Sequence, residues 1–204
     1  RTAPGGMAPH RPASRAARLG LGVWFGLMVC VAAYLLARHL VPLPVPTAEA
    51  AEVQTAFGEL RAPDERRSWA MFHVLYADCR CSGRIVAHLT SGARPGDVVE
   101  RVVMVGRHEE DERKLARADI PVVHVTAEEL LERYGVEAGP LLVVLDPHDR
   151  VMYAGGYTSR KQGLDVKDLA ILELLRAGTR AEELPLYGCP ISQGLRATLN
   201  PLGL

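Results

Sequence analysis

The sequence carries no surplus of charge: 24 basic side chains are balanced by 24 acidic ones. It has no basic stripe with interleaved aromatics, so nucleic acid is not an expected partner. Cysteine is scarce, at 4 in 204 residues, too few for a small domain built on disulfides. There is no Gly-rich phosphate loop, no Ser/His/Asp arrangement in a convincing context, no internal repeat and no low-complexity tract. Asparagine is almost missing while Ala, Arg, Leu and Gly dominate, a composition that points to GC-rich bacterial coding. What is present is an apolar fraction of 48%. That supplies the core of one ordinary soluble domain plus an N-terminal extension.

The longest apolar run, residues 19–37, contains no charge and no polar face. At about 1.5 Å per residue, a helix of this length just crosses a hydrocarbon core of about 30 Å. Arg11, Arg15 and Arg18 precede it, whereas only Arg38 and His39 follow closely. The positive-inside rule then places residues 1–18 in the cytoplasm, residues 19–40 in the membrane and the remainder outside. A cleaved signal peptide is the competing reading, with Ala48-Glu49-Ala50 as a small-residue site. The run is longer than a signal core and the site lies well beyond it, which favours an uncleaved anchor. Residues 1–6, ahead of Met7, carry no expected structural role. Residues 41–67 read as a stalk and lead-in. Pro42, Pro44 and Pro46 favour an extended, semi-rigid spacer, followed by a short helix and an exposed charged turn.

Beyond the stalk, strands alternate with helices. Residues 69–77 are apolar and aromatic-rich and predict a buried strand, interrupted by Asp78-Cys79-Arg80-Cys81-Ser82-Gly83. A helical pattern begins at 84–89. Strands are expected at 98–105, 120–125, 141–145 and 151–155, and helices at 109–118, 127–134 and 166–177. Asp146 to Arg150 is turn chemistry that makes the last two strands a hairpin. The pattern is α/β.

Three local features, in this order, resemble the thioredoxin fold over roughly residues 68–178. A buried strand runs into a cysteine motif that opens a helix. Tyr134-Gly135-Val136 is followed by Gly139-Pro140 and a hydrophobic strand. Leu145-Asp146 through Arg150-Val151 to Gly155-Gly156 is similar to the strand–turn–strand of membrane-tethered, TlpA-like bacterial thioredoxins. The resemblance implies a central mixed sheet flanked by helices, and a cis Pro140 packed with Gly139 beside the active cysteines. It also implies a bacterial inner-membrane protein, single-pass, with its domain in the periplasm. The motif itself departs from the family: two residues normally separate the cysteines, and here Cys79-Arg80-Cys81-Ser82 puts Ser82 at the resolving position and a thiol between. The place of His73 usually holds a buried carboxylate that moves protons. His73 is expected either to do similar work or to be a partly exposed strand histidine.

Cys79 and Cys81 lie where a strand gives way to a helix, close to Arg80 and Arg84, a setting that favours the thiolate of one of them. A disulfide between them would close a small ring suited to exchange. Cys189, in the segment 179–204 read as a C-terminal tail, sits between Gly188 and Pro190 in a turn. It either reaches the site as a resolving thiol or pairs with one of the two cysteines as a fixed partner. The function expected is a membrane-anchored extracytoplasmic thiol–disulfide oxidoreductase acting on protein thiols and disulfides, without a cofactor. Two alternatives stand beside it. One is a copper-handling protein, with Cys79 and Cys81 as ligands and His73, His88 or His124 as a third. The other is a non-catalytic binding module on the same fold.

Overall fold

The computed structural model describes residues 14–48, 51–161 and 163–200. Arg11 and most of the basic N-terminus, Glu49 and Ala50 of the candidate cleavage site, and the last four positions of the tail lie outside the described residues. The chain divides into two compact units, Arg1–Val41 and Pro42–Leu204.

The first unit is α1, Arg15–Leu40, 26 residues long. Ser14 caps it, its hydroxyl accepting from the Ala17 amide at 3.2 Å. Its stretch Arg15–Leu36 is long and apolar enough to cross a membrane, the one such helix among the described residues. The helix extends beyond the apolar run at both ends because Ser14 is a good N-cap and no proline intervenes before Pro42.

In the second unit, α2 (Ala51–Gly58) leads to β1 (Trp69–Tyr76), α3 (Arg80–Leu89), β2 (Val98–Val105) and α4 (Glu109–Arg117). Then come β3 (Val122–Val125), α5 (Ala127–Tyr134), β4 (Ala138–Gly139), β5 (Leu141–Leu145) and β6 (Val151–Gly155). The chain continues through α6 (Asp168–Arg176), β7 (Cys189–Pro190) and α7 (Gln193–Leu199). Five strands form a mixed sheet in the order β3-β2-β1-β5-β6. β1, β2 and β3 are parallel, while β5 runs antiparallel to β1 and β6 antiparallel to β5. β4 and β7 make a separate two-stranded ladder.

Side-chain alternation along the strands divides the core into two layers. From one face, Phe72, Val74, Val103, Leu141 and Val143 pack against Phe57 of α2 and Leu130 and Tyr134 of α5. From the other, Met71, Leu75, Met104 and Val144 pack against α3, α4 and α6 through Ile85, Leu89, Leu115 and Leu172. The central strands are buried on both faces, so β5 reads as a continuous apolar run rather than an alternating one. α5 shows how local signals set a boundary. Thr126 accepts from the Glu129 amide at 3.0 Å, and Gly135 ends the helix at φ +64°.

Several expectations shift. β3 starts at Val122 because Pro121 has no N–H to give the ladder, although its carbonyl accepts from Val102 at 2.9 Å. The stalk is extended, but Leu43 donates to the Leu186 carbonyl at 2.8 Å and packs against the core. The charged turn after α2 is not wholly exposed. Arg61 is buried, donates to the carbonyls of Ser68 and Asp146, and pairs with Asp149. The segment after residue 178, read as a C-terminal tail, packs into the core through Leu184, Leu186 and Ile191, all buried. Its strand is only two residues long and so leaves no periodic signal in the sequence.

Candidate functional site

The sheet delivers Cys79 to the start of α3. β1 ends at Tyr76, and Cys79 occupies the N-cap position of α3 with no side-chain cap bond and no acidic residue in the first turn. The Ser82 hydroxyl is buried and accepts from the Tyr76 amide at 3.0 Å. The residue in the family's resolving position thus ties the first turn of α3 back to β1. That hydrogen bond is what replaces a second thiol there.

Cys79 is joined by a disulfide to Cys189, with Cα atoms 6.0 Å apart and 110 positions between them in sequence. β7 brings Cys189 into place by pairing antiparallel with β4, Cys189 opposite Gly139 and Pro190 opposite Ala138. The Gly139–Pro140 peptide is cis, as the resemblance implies. Two glycines permit the close approach. A Cβ at Gly139 would sit 3.1 Å from the Val74 carbonyl oxygen, and one at Gly188 would run into the Gly139 carbonyl and the Pro140 ring. Beyond β7, the amides of Ile191 and Ser192 both donate to the Glu137 carbonyl, at 2.7 and 3.1 Å. Arg196 of α7 lies over the Tyr76 ring, 5.0 Å from its centroid.

Cys81, one of the two candidate thiols of the motif, is half-buried and unpaired in a disulfide. It faces a cleft of about 300 Å³ also lined by Arg84, His88, Pro140, Tyr157 and Tyr187.

Behind the cleft lies a polar network set into the second core layer. His73 is completely buried, not partly exposed. Its Nδ1 is 2.9 Å from the Tyr157 hydroxyl and its Nε2 is 2.8 Å from Glu100. Arg94 bonds Glu100 and reaches Asp168 at 2.7 Å, and Asp168 meets His88 at 2.9 Å. Burial pushes the Glu100 carboxyl up, but hydrogen bonds from His73 and Arg94 outweigh it and hold the group at about 2. Burial works against the Arg94 charge, yet its two carboxylate partners raise its pKa above the ordinary value. The Tyr157 hydroxyl is pushed well up by burial. Glu100, Arg94, Asp168 and Tyr157 are not legible as site residues in the sequence. Each is a single polar residue on a different segment, without a shared spacing.

Among the described residues no three His, Cys, Asp or Glu side chains come together as metal ligands. The three histidines considered beside copper are engaged elsewhere. His73 and His88 belong to the network, and His124 lies 3.2 Å from the Gly106 carbonyl.

A hypothetical protein from Sinorhizobium meliloti 1021 superposes with a TM-score of 0.50 at 16% identity, covering 75% of this chain and 91% of its own. A conserved protein from Geobacillus kaustophilus gives 0.48 at 17% identity, over 62% of this chain and 77% of its own. A thiol:disulfide interchange protein from Bacteroides sp. gives 0.39 at 16% identity, over 58% and 79%. No family model and no curated protein matches the sequence. The arrangement itself decides the class. Three parallel strands and an antiparallel hairpin flank a cysteine at a helix start, and a cis proline leads into β5. The fold is thioredoxin-like. Within the thioredoxin-like domain the structure brings together Cys79, Ser82, Cys189 and Pro140. Cys81 is placed in the adjoining cleft, and His73 behind it.

Proposed function

We propose that the chain is a membrane-anchored thiol–disulfide oxidoreductase whose working couple is Cys79 and Cys189. The observation that carries this reading is the bond between a cysteine at a helix N-terminus and a cysteine held on β7 beside cis Pro140. A helix N-terminus favours the thiolate that exchange requires. Both cysteines are fixed by packed elements, so the reduced pair stays positioned for reclosure. The couple therefore replaces the two-residue spacing of the family motif with a long-range pairing, and Ser82 has a different task.

His73 supports the same reading. Through Tyr157 it connects the cleft to a buried imidazole hydrogen-bonded to Glu100, a group suited to proton exchange with the site. The domain works outside the cytoplasm, in the bacterial periplasm, on the thiols and disulfides of proteins there. The arginines ahead of the apolar run favour that orientation, and an oxidising compartment keeps a disulfide formed.

The test is whether small amounts of the full chain in detergent accelerate exchange between glutathione and a disulfide-bonded protein. The reading predicts acceleration that disappears in both Cys79→Ser and Cys189→Ser. An unaccelerated exchange, or one indifferent to both substitutions, refutes it.

A further inference from the structure

We infer that Cys189, and not Cys79, is the sulfur at which an incoming thiolate attacks. This rests on the oxidoreductase reading above and assigns the two cysteines their roles within it. It reverses what the resemblance implies, since there the cysteine that ends the first buried strand meets the partner.

Two independent features point the same way. The first is access. Cys79 is 2% exposed, enclosed between the end of β1 and β7, whereas Cys189 is half-buried and keeps part of its surface in solvent. Thiol–disulfide exchange requires the entering sulfur to reach one particular sulfur of the bond. The second is the leaving group. Attack on Cys189 drives the bonding electron pair onto Cys79. That sulfur sits at the N-cap of α3, whose first turn holds no acidic residue and whose N-terminal amides have no side-chain cap from Cys79. Arg80 and Arg84 lie in the first turns of the same helix. A thiolate formed there meets the positive end of the helix. Cys189 lies on β7, a two-residue strand, rather than at the cap of a helix, and Arg196, the cation that follows it, is engaged by the Pro190 carbonyl at 3.2 Å and the Tyr76 ring.

The segment that carries Cys189 is built to stay in place after the bond opens. Leu186 and Ile191, on either side of it, are 1% and 0% exposed, and the Glu137 carbonyl accepts from two amides just beyond. Breaking the disulfide leaves these contacts and the β4–β7 ladder intact. Cys189 then presents the bound partner at the edge of the domain, and the Cys79 thiolate remains next to it.

The partner class follows: a protein that offers two thiols. Its first thiolate attacks Cys189 Sγ, forming a mixed disulfide while the Cys79–Cys189 bond breaks and its electron pair passes to Cys79. The partner's second thiolate attacks the partner sulfur in that mixed disulfide and displaces the Cys189 thiolate. The partner dithiol is oxidised by two electrons and the Cys79–Cys189 disulfide is reduced by two. The two protons of the partner's thiols pass to the Cys79 and Cys189 thiolates or to solvent. The same steps in reverse reduce a partner disulfide.

The experiment mixes the oxidised full chain in detergent with reduced glutathione, quenches with acid at short times, and maps glutathione adducts by peptide mass spectrometry. The expected result is an adduct on Cys189 exceeding that on Cys79 by about tenfold or more, with Cys79 free to alkylate. A predominant adduct on Cys79 or on Cys81 overturns the inference and leaves the oxidoreductase reading standing. A disulfide that does not exchange with glutathione at all overturns both. A variant pair gives a second arm with glutathione disulfide as the probe. Cys79→Ser is expected to retain glutathione on Cys189, and Cys189→Ser to retain none on Cys79. The opposite pattern overturns the inference.

Discussion

Cys189 lies opposite Gly139 in the β4–β7 ladder, one position before cis Pro140, and this pairing brings it within bonding reach of Cys79. The sulfur chemistry therefore depends on a backbone contact between two short strands rather than on the spacing inside the cysteine motif.

Gly188→Ala tests that dependence. The added Cβ would meet the Gly139 carbonyl, which is main chain and cannot turn aside. Overpacking of this kind costs about 1–3 kcal/mol. The variant should melt at lower temperature and close its disulfide less completely at a given glutathione ratio. A variant that matches the parent in both would show that the ladder does not position Cys189.

Glu100 makes stability sensitive to acid. Its carboxyl is held at about 2 against an ordinary 4.5, and its side chain is 9% exposed. A group depressed on folding contributes its full stabilisation above 4.5 and loses it as the pH falls from there toward 2. The contribution is about 3 kcal/mol. Denaturant unfolding from neutral pH down to pH ~2.5 should show Glu100→Gln well below the parent at neutral pH and the gap closing in acid. A gap that stays constant with pH would mean that His73 and Arg94 do not hold the carboxylate.

Cys81 is a reporter of topology. It is a half-buried free thiol facing the cleft, while Cys79 and Cys189 are tied to each other. A membrane-impermeant maleimide added to intact spheroplasts is expected to label Cys81 and to spare Cys79 and Cys189. Labelling that appears only after the membrane is broken would place the domain on the cytoplasmic side.

Much of the fold was legible because each strand of the five-stranded sheet is bounded by a turn, a proline or a glycine, and the central β1 and β5 are buried almost throughout. β5 and the hairpin to β6 are the clearest case, with Asp146 accepting from the amides of His148 and Arg150 and Asp149 at φ +63°. Cys79 was legible too, since a strand that ends in a cysteine and a helix that begins there are local features. Its partner was legible only as one of two candidates, Cys81 and Cys189, with nothing in the sequence to choose between them. Cys189 is 110 positions away, on a strand of two residues, and the motif offered Cys81 much nearer. The network from Tyr157 through His73 to His88 was hidden, because packing alone assembles it from β1, β2, α3, α6 and the loops between. His73 could be singled out by its place ahead of Cys79, but its burial and its pairing with Glu100 could not.

The most direct measurement equilibrates the full chain in detergent against graded ratios of reduced to oxidised glutathione and counts the free thiols by mass spectrometry after alkylation. The account predicts that Cys79 and Cys189 open and close together as one reversible two-electron couple while Cys81 stays alkylatable throughout. A reversible Cys79–Cys81 couple with Cys189 always free, or three thiols that never pair, would contradict it.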